Sequence, residues 1–149
     1  MNIEYSSKHH YNSIAREFAI QFLYQSEVNK RTVFEQESFD SFLEYFQVPD
    51  YAKEFLFKLL KNTFENVNYI DTLISEDSKN WAFYRITIID KSILRAAISE
   101  LIFFDTPPKV VIDEAIELAR KYSSEKSYKF VNGILDSVAT KLKKFSPWT

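Results

Sequence analysis

The sequence predicts an all-α fold of about seven helices within a single domain. Its 149 residues are 46% hydrophobic, and a chain of this length can bury a substantial core. One glycine and four prolines leave few positions for the tight turns that β-hairpins need. Apolar residues recur every three or four positions along most of the chain, which is the period of a helix with one buried face.

The first two helices follow from apolar spacing and a start signal. Apolar residues repeating every four positions predict a helix from about Ser7 to Glu27. Thr32 and Glu35 have the spacing of a capping box, in which each side chain bonds a backbone N–H of the other residue. They predict that the second helix begins here, and its apolar residues continue to Phe46.

A proline then separates the second helix from a long third helix. Pro49-Asp50 is expected to end one helix and to cap the next. One apolar face continues from Tyr51 to Ile74, which predicts a single unbroken helix. A short aromatic helix is expected at about Trp81 to Arg85.

Three further helices complete the predicted fold. Thr87, three residues before Asp90, is the expected cap of the fifth helix, and Asp105-Thr106-Pro107-Pro108 ends that helix. Thr106 is expected to cap the sixth helix, because proline is tolerated in a first helical turn. The seventh helix is expected to begin near Ser124.

The seventh helix contains the only glycine, Gly133, in the octapeptide Lys-Phe-Val-Asn-Gly-Ile-Leu-Asp at residues 129–136. Glycine inside a helix costs roughly 1 kcal/mol relative to alanine, so its presence requires a reason. Together with Ser137, four residues later, it would leave a shallow strip that another helix backbone can approach. Close helix packing is therefore the first explanation.

Composition limits the chemistry that the chain can perform. There is no cysteine, which excludes disulfides, thiolate catalysis and cysteine-ligated zinc. His9-His10 are the only histidines, and since adjacent helical residues point in different directions, no metal site is expected. Neither a glycine-rich phosphate loop nor a histidine beside a nucleophile is present, so we expect no catalytic residue, no cofactor and no enzyme activity.

Hydropathy and charge indicate the cellular compartment of the protein and the kinds of partner it binds. A leading signal segment and a run of 18 apolar residues are both missing, which predicts a cytoplasmic protein with no membrane partner. Residues 32–105 are acidic, whereas both ends carry a slight excess of lysine and arginine. This distribution suits a nucleic acid on one surface and a basic protein on another, although ordinary solvated helix faces would look the same.

Four segments together carry a resemblance to a known family. They are residues 15–24 (AREFAIQFLY), 94–101 (LRAAISEL), 107–120 (PPKVVIDEAIELAR) and 127–136 (SYKFVNGILD). In these segments the chain closely resembles the NusB family of bacterial transcription antitermination factors, while residues 28–86 fit in length and helical pattern only. The resemblance implies an all-α fold of two packed three-helix bundles and a role without catalysis.

The resemblance also implies partners. NusB proteins pair with ribosomal protein S10, and the pair binds the boxA element of nascent ribosomal RNA leaders. This binding helps the RNA polymerase antitermination complex to read through terminators. For this chain, residues 1–149 are accordingly expected to form one RNA-binding domain with S10 and boxA-type single-stranded RNA as partners. Homodimers occur in parts of the family, so a homodimer stays an alternative to a monomer.

The family positions assign an RNA surface to both ends of the chain. Single-stranded RNA is usually held by Lys or Arg on phosphates and by aromatic rings on which bases stack. Asp90 can accept a hydrogen bond from a base edge, and core burial is the alternative role for the two aromatic residues. The RNA-contacting residues implied in this way are Lys8, Arg16, Tyr24, Asp90, Lys126, Lys129 and Phe130.

Two departures from the family pattern affect this RNA surface. An arginine-rich cluster is common just before the first-helix Ala-Arg-Glu, but Asn12, Ser13 and Ile14 stand there in this chain. Lys126 stands where an acidic residue is common, and it restores one positive charge. The missing arginines leave open an alternative function, a protein-interaction module that binds S10 with little RNA binding of its own.

The S10 contact is expected on the central helices. The resemblance places Lys91, Ser99 and Glu100 at this interface. Arg95 is either a further contact or an internal salt-bridge partner. The acidic middle of the chain would complement a basic ribosomal protein, which chiefly raises the association rate and the selectivity of binding.

Overall fold

The computed structural model describes residues 3–78 and 83–143, with side chains from residue 12 onward within these ranges. These residues form seven α-helices and a 3-10 turn at Phe83–Arg85, with no strand, which confirms the all-α prediction. None of the helices in these ranges combines the length and the apolar character needed to cross a membrane. The helices are α1 Ile3–Val28, α2 Gln36–Tyr45, α3 Asp50–Glu65, α4 Val67–Asp77, α5 Ile88–Phe103, α6 Pro108–Tyr122 and α7 Glu125–Lys141.

Two hydrophobic cores organise the helices. The first core lies between α1, α2 and α3 and is rich in phenylalanine, with the ring of Phe22 packed edge-on against those of Phe39, Phe42 and Phe64. The second core takes side chains from α4, α5, α6 and α7. Two helices serve both cores, since Ile20 of α1 lies in the second core and Ala96 of α5 lies in the first.

The predicted third helix is two helices in the structure, and its prediction as one unbroken element was wrong. Asn66, with φ −122° and ψ 19°, separates α3 from α4. Side-chain amides of Asn62 and Asn66 donate to backbone carbonyls four residues earlier, and Thr63 Oγ1 donates to the carbonyl of Leu59. Such side chains compete with the helix ladder for its acceptors, which weakens the helix at this point.

The break also marks the passage between the two cores. Leu56, Leu59 and Leu60 of α3 lie in the first core, whereas Ile70 and Ile74 of α4 lie in the second. The apolar face predicted to be continuous therefore belongs to two different interfaces. The second core thus takes side chains from α4, α5, α6 and α7 together with Ile20 of α1.

The predicted cap of α5 is confirmed, and α7 begins where the sequence predicted, with a cap that was not predicted. Thr87 Oγ1 accepts a hydrogen bond from the Asp90 N–H at the start of α5. Ser124 Oγ accepts one from the Ser127 N–H at the start of α7. Both helix starts are consequently fixed by a side chain, which matters because the candidate site lies between them.

The other predicted caps differ from the structure. Glu35 is the residue before α2 and makes no capping bond, so the capping box with Thr32 does not form. Pro49 and Pro107, rather than Asp50 and Thr106, occupy the N-cap positions of α3 and α6, and these helices start without a side-chain cap. The predicted aromatic helix is the 3-10 turn, and Trp81 lies outside the described residues.

Gly133 does not serve close helix packing, so that explanation was wrong. The residue is exposed on α7, and a Cβ placed on it would have no heavy atom within 4 Å. The opposite side of α7 packs in the second core through the neighbouring apolar residues Val131, Ile134 and Leu135.

Candidate nucleic-acid interface

The starts of α5 and α7 meet at a cavity of about 350 Å³, which we call the α5–α7 cleft. It brings together residues from the 3-10 turn, from the start of α5 and from the first two turns of α7. Three residues that the resemblance assigned to RNA, Asp90, Lys126 and Phe130, share this one cavity. The residues that line it are Arg85, Ile86, Thr87, Asp90, Ser124, Lys126, Ser127 and Phe130.

Asp90 places an unsatisfied acceptor in this cleft. Its residue exposure is 5%, and its Oδ1 atom is buried with no hydrogen-bond partner within the described parts of the chain. A buried carboxylate oxygen without a donor is costly, so a ligand that supplies an N–H or O–H donor would be favoured here. This geometry suits the expected contact with a base edge.

Phe130 lies between the second core and the α5–α7 cleft. Its half-buried ring packs against the second core and also lines the α5–α7 cleft. Lys126 lines the cleft from an exposed position, and Lys129 is exposed nearby on α7 without lining the cavity. The cleft therefore has an apolar wall with positive charge beside it, as single-stranded RNA requires.

Tyr24 lies in a second depression of about 440 Å³, which we call the tyrosine groove. Tyr24 is 44% exposed, so the core-burial alternative is wrong for this residue. The groove joins α1 to Phe46 of the first bundle and to the start of α5. It is lined by Ile20, Gln21, Tyr24, Gln25, Phe46, Ile89 and Tyr122.

Consecutive residues of α5 line the two cavities. Ile89 of the groove precedes Asp90 of the cleft, and Tyr122 closes α6 two residues before the cap of α7. Glu17 of α1 accepts hydrogen bonds from the hydroxyl of Tyr122 and from Lys121 Nζ, the latter at 2.7 Å. This contact fixes the orientation of Tyr122 at the groove.

The same contact changes the ionisation of Glu17. Burial raises the pKa of this carboxyl, but hydrogen bonds from Lys121 and Tyr122 and the Lys121 charge lower it more. The net pKa of Glu17 is below its ordinary value. Glu17 is thus held in its charged form by its partners on α6.

Arg16 is not placed to contact phosphate, and that expectation is corrected. The residue is 5% exposed, and its Nε and Nη2 atoms donate to the two carboxylate oxygens of Glu100 at 2.8 and 2.7 Å. Its Nη1 atom lies 3.4 Å from Glu114 Oε1. The guanidinium serves the contact of α1 with α5 and α6 instead of an external ligand.

Two of the three residues expected at the S10 interface are also internal. Glu100 is 1% exposed because it pairs with Arg16, and Ser99 is fully buried in α5. Neither side chain can contact a partner on the surface, so both assignments are corrected. Lys91 remains accessible, with its Nζ 4.6 Å from the centroid of the Phe83 ring.

Arg95 is an internal salt-bridge partner, as one of its two alternatives predicted. Its guanidinium donates to both carboxylate oxygens of Asp71 and to Glu27 Oε2, at 2.8 to 2.9 Å. Burial lowers the pKa of Arg95, but the bonds and charges of Asp71 and Glu27 raise it more, so the net pKa is raised. The network ties α1, α4 and α5 together.

Other expectations concern parts of the chain without described side chains or without a ligand. Lys8 lies within α1, but its side chain is outside the described residues, as are those of His9 and His10. In the described ranges no group of three or more His, Asp or Glu is placed to hold a metal ion.

Several cleft and groove residues were missed by sequence reasoning. Arg85, Ser127 and Thr87 reach the cleft only because the 3-10 turn and the start of α7 converge in space. The available signal was the Tyr84-Arg85 pair two residues before the cap Thr87, since aromatic and basic residues together are typical of surfaces that bind single-stranded nucleic acid. Phe46 and Tyr122 had no comparable signal, because each lies at a helix end distant from Tyr24 in sequence.

Comparison with known proteins places the chain among relatives of one kind. The family model described as the NusB family matches residues 13–140. The transcription antitermination protein NusB of Chloroherpeton thalassium is 44% identical over 130 residues. These residues make up 86% of this chain and 61% of that relative, so the match spans about three fifths of the relative's length.

Solved structures agree with the sequence matches. NusB of T. maritima superposes with a TM-score of 0.77 at 35% identity, covering 90% of this chain and 96% of that one. A NusB chain in a crystal structure of the antitermination factors NusB and NusE in complex with double-stranded RNA also has a TM-score of 0.77. Its identity is 27%, and the match covers 89% of this chain and 98% of that one. The chain therefore belongs to the NusB family.

Proposed function

We propose that this protein is a transcription antitermination factor that binds boxA-type single-stranded RNA together with ribosomal protein S10. In this role it assists the RNA polymerase antitermination complex on nascent ribosomal RNA leaders in the cytoplasm. The family membership supports the proposal, and so does the related NusB structure that contains NusE and RNA. Residues 1–149 act in this proposal as one RNA-binding domain without catalysis.

The observation that carries the proposal is the α5–α7 cleft. Asp90 comes from one helix and Lys126 and Phe130 from another, yet they share one cavity that combines an acceptor, a cation and an aromatic wall. Bases of single-stranded RNA are recognised by this combination of stacking and hydrogen bonds to their edges. Tyr24 offers a second exposed ring on the adjoining groove.

The protein alone should bind RNA weakly. Arg16 is buried, so the accessible positive charge at this surface comes mainly from exposed residues of α7 and the 3-10 turn. For single strands, each phosphate contact contributes about −0.7 to the slope of log K against log salt. We expect a shallow salt dependence without S10, and markedly tighter binding when S10 adds further basic surface.

The test is fluorescence anisotropy of a boxA-type RNA and a scrambled RNA, with and without S10, over a salt series. In the S10 complex, Lys129→Ala should reduce the salt slope by about 0.7, while Lys61→Ala on α3 should not change it. Tyr24→Ala should cost about 1–3 kcal/mol of binding if a base stacks there, whereas Tyr69→Ala, an equally exposed tyrosine on α4, should cost little.

The alternative is an interaction module that binds S10 with little RNA binding of its own. The burial of Arg16 favours it, because it removes one expected phosphate contact. If the S10 complex binds boxA no better than the scrambled RNA, this alternative replaces the proposed function. Sedimentation of the protein alone in an analytical ultracentrifuge distinguishes a monomer from a homodimer.

A further inference from the structure

Helix α2 has one face that no other helix covers within the described parts of the chain. Its opposite side packs in the first core through Phe39 and Phe42. The uncovered residues recur at spacings of three and four, which places them on one side of the helix, and all of them are exposed. We call this side the outer face of α2, and it consists of Glu37, Asp40, Ser41, Glu44 and Tyr45.

The negative charge of the outer face is not neutralised by any side chain that the structure describes. From Thr32 to Ala52 the sequence has five acidic residues and neither lysine nor arginine. Asp40 accepts a hydrogen bond from the uncharged amide of Gln36, at 2.9 Å. Arg31 reaches α2, but it donates to Ser38 Oγ and not to a carboxylate. The three carboxylates of the outer face therefore keep their full charge.

Four surface carboxylates on other helices do have basic partners. In each case a lysine or arginine lies within 3.3 Å, and the pairs are Glu17–Lys121, Asp50–Lys53, Glu76–Lys141 and Glu117–Arg120. Such a pair cancels much of the local charge. The outer face of α2 differs from these places, since its field stays available to a cation from outside the chain.

Tyr45 adds an aromatic side chain beside the carboxylates. It is 80% exposed, more than any other large apolar or aromatic residue in the described ranges. Its ring lies 4.9 Å from that of Phe46, which lies 4.6 Å from the ring of buried Phe42, both measured between centroids. Val48 is buried and donates its N–H to the Leu43 carbonyl, which fixes the end of α2. The ring of Tyr45 thus starts from a fixed backbone, and ordering it on binding costs little entropy.

The outer face is continuous with the tyrosine groove. Phe46 contacts Tyr45 and also lines that groove together with Tyr24 and Tyr122. A chain segment lying along α2 would therefore lie beside the proposed RNA surface. This position puts the outer face within reach of other components of the antitermination complex.

The chemistry of the outer face selects a basic protein segment. Its uncompensated carboxylates attract lysine and arginine, and they repel the phosphates of RNA. The exposed ring of Tyr45 offers a surface to an aliphatic side chain, and its face also attracts a cation. Tyrosine is enriched at protein–protein interfaces, where its ring supplies contact area and its hydroxyl a polar contact.

We infer that the outer face of α2 binds a lysine- and arginine-rich segment of a protein partner, with an apolar side chain of that segment on Tyr45 and Phe46 and its bases on the three carboxylates. This contact is separate from boxA recognition and goes beyond the proposed function. Helix α2 has ten residues and is about 15 Å long, so the interface is small. Binding should accordingly be weak when the segment is offered alone.

The first test uses peptide probes and nuclear magnetic resonance of the isotope-labelled protein. A peptide of alternating lysine and leucine should shift the amide signals of α2. A lysine–serine peptide lacks the apolar side chain and should bind less tightly, and a glutamate–leucine peptide should not bind. Added salt should weaken the lysine–leucine complex, because exposed charges are screened.

Variants of the outer face should lose this binding and keep their melting temperature. Glu37→Gln/Asp40→Asn/Glu44→Gln removes the three charges and should weaken lysine–leucine binding about ten-fold. Tyr45→Ser removes the ring and should weaken it about five-fold or more.

Matched controls carry the same kinds of change on other helices. Asp113→Asn/Glu117→Gln neutralises two exposed carboxylates of α6, and Tyr69→Ser removes a 49% exposed ring from α4. Both variants should bind the lysine–leucine peptide as the parent does. Equal losses in the controls and in the outer-face variants would mean that the peptide responds to net charge alone.

A cross-linking experiment then identifies the partner segment. The photoreactive residue p-benzoylphenylalanine replaces Ser41, between the carboxylates and Tyr45, in a complex assembled from purified S10, boxA RNA and RNA polymerase. Irradiation should attach it to a lysine- or arginine-rich peptide, identified by mass spectrometry. The yield should fall when the three carboxylates of the outer face are also neutralised.

Several results would overturn the inference. They are unchanged peptide binding in the outer-face variants, shifts confined to other helices, and a cross-link only to RNA, only to a second copy of this protein or to no component. The proposed function is judged by other data. If the variant without the three carboxylates loses peptide binding but its S10 complex still prefers boxA to a scrambled RNA, the two surfaces are separate. If it loses the boxA preference, the outer face belongs to the RNA surface instead. If the parent complex shows no such preference, the proposed function fails, whereas the peptide results still decide the outer face.

Discussion

Arg16 of α1 and Glu100 of α5 form a buried bidentate ion pair. Side-chain exposure is 6% for the arginine and 1% for the glutamate. The family resemblance assigned Arg16 to RNA and Glu100 to S10, and the structure buries both side chains instead. Packing decides which side of a helix faces the interior. Here the two charged side chains can both be buried because each neutralises the other.

Removing one partner of this ion pair should strongly destabilise the fold. Glu100→Leu leaves a buried guanidinium without its main partner, and Arg16→Met leaves a buried carboxylate, so each should lower the free energy of unfolding by about 3–5 kcal/mol. The double variant Arg16→Met/Glu100→Leu removes both charges and should recover a large part of that loss. Urea unfolding of the three variants measures it. Additive losses in the double variant would show that the two side chains are not energetically coupled.

Adding a side chain at Gly133 should stabilise the fold, whereas the packing explanation predicts that it would destabilise it. Because an added Cβ would meet no atom within 4 Å, Gly133→Ala should increase the free energy of unfolding by about 0.5–1 kcal/mol. The change is measured as a higher urea midpoint. If RNA approaches the α7 backbone here, the same variant should bind the RNA of the S10 complex less tightly while being more stable. A lower midpoint would mean that the Cβ meets a neighbour and that helix packing explains the glycine.

At the scale of elements, the sequence predicted helices wherever periodicity and a cap agreed. Thr87 was predicted as a cap because Asp90, whose N–H it accepts, follows three residues later. The start of α7 was predicted near Ser124, and the structure adds that Ser124 caps it. The break at Asn66 was not found, because the apolar face continues across it and only the three-dimensional structure shows that the face changes core. Apolar periodicity shows which face of a helix is buried, but it does not show which helices that face packs against.

The candidate site was predictable to a similar extent. The segment around Phe130 is compact in sequence, so the residues of α7 were identified together from one motif. Arg85 was missed because its relation to Lys126 depends on how α5 packs against α7. Arg16 was assigned to RNA although it is buried, because its partner Glu100 lies far away in sequence and the pair is visible only in the structure.

The contact between α1 and α6 gives a prediction about pH. The pKa of Glu17 is lowered in the folded state, so its contribution to stability is fully present above the ordinary pKa of about 4.5 and is lost as the pH falls from there through the lowered pKa. Glu17→Gln should therefore be destabilising at pH 7 and less so at pH 3, as measured by urea unfolding at both values.

A partner variant supplies the control for this pH prediction. Lys121→Gln removes the donor and charge that hold Glu17 ionised, so it should produce a similar loss at pH 7. The double variant should be little worse than either single variant. If Glu17→Gln destabilises the protein equally at both pH values, the ionised contact with Lys121 is not the cause.

At the scale of the whole molecule, the two cores share their supporting helices. Ile20 and Ala19 are adjacent on α1 but belong to different cores, and Ala96 and Ala97 divide in the same way on α5. Neither bundle can lose α1 or α5 without exposing part of the other. The Arg16–Glu100 pair and the Arg95–Asp71–Glu27 network lie along this shared boundary.

This sharing predicts that the protein unfolds as one cooperative unit despite having two cores. Leu56 of the first core and Leu135 of the second are both fully buried, so Leu56→Ala and Leu135→Ala should each cost about 2–5 kcal/mol. Each variant should shift the entire urea transition, with far-UV circular dichroism and the hydrogen exchange of both bundles changing together. Independent bundles would behave differently: Leu56→Ala would accelerate exchange in α2 and α3 alone and split the transition in two. Such a result would mean that α1 and α5 do not couple the cores, and that one bundle can open while the other keeps its fold.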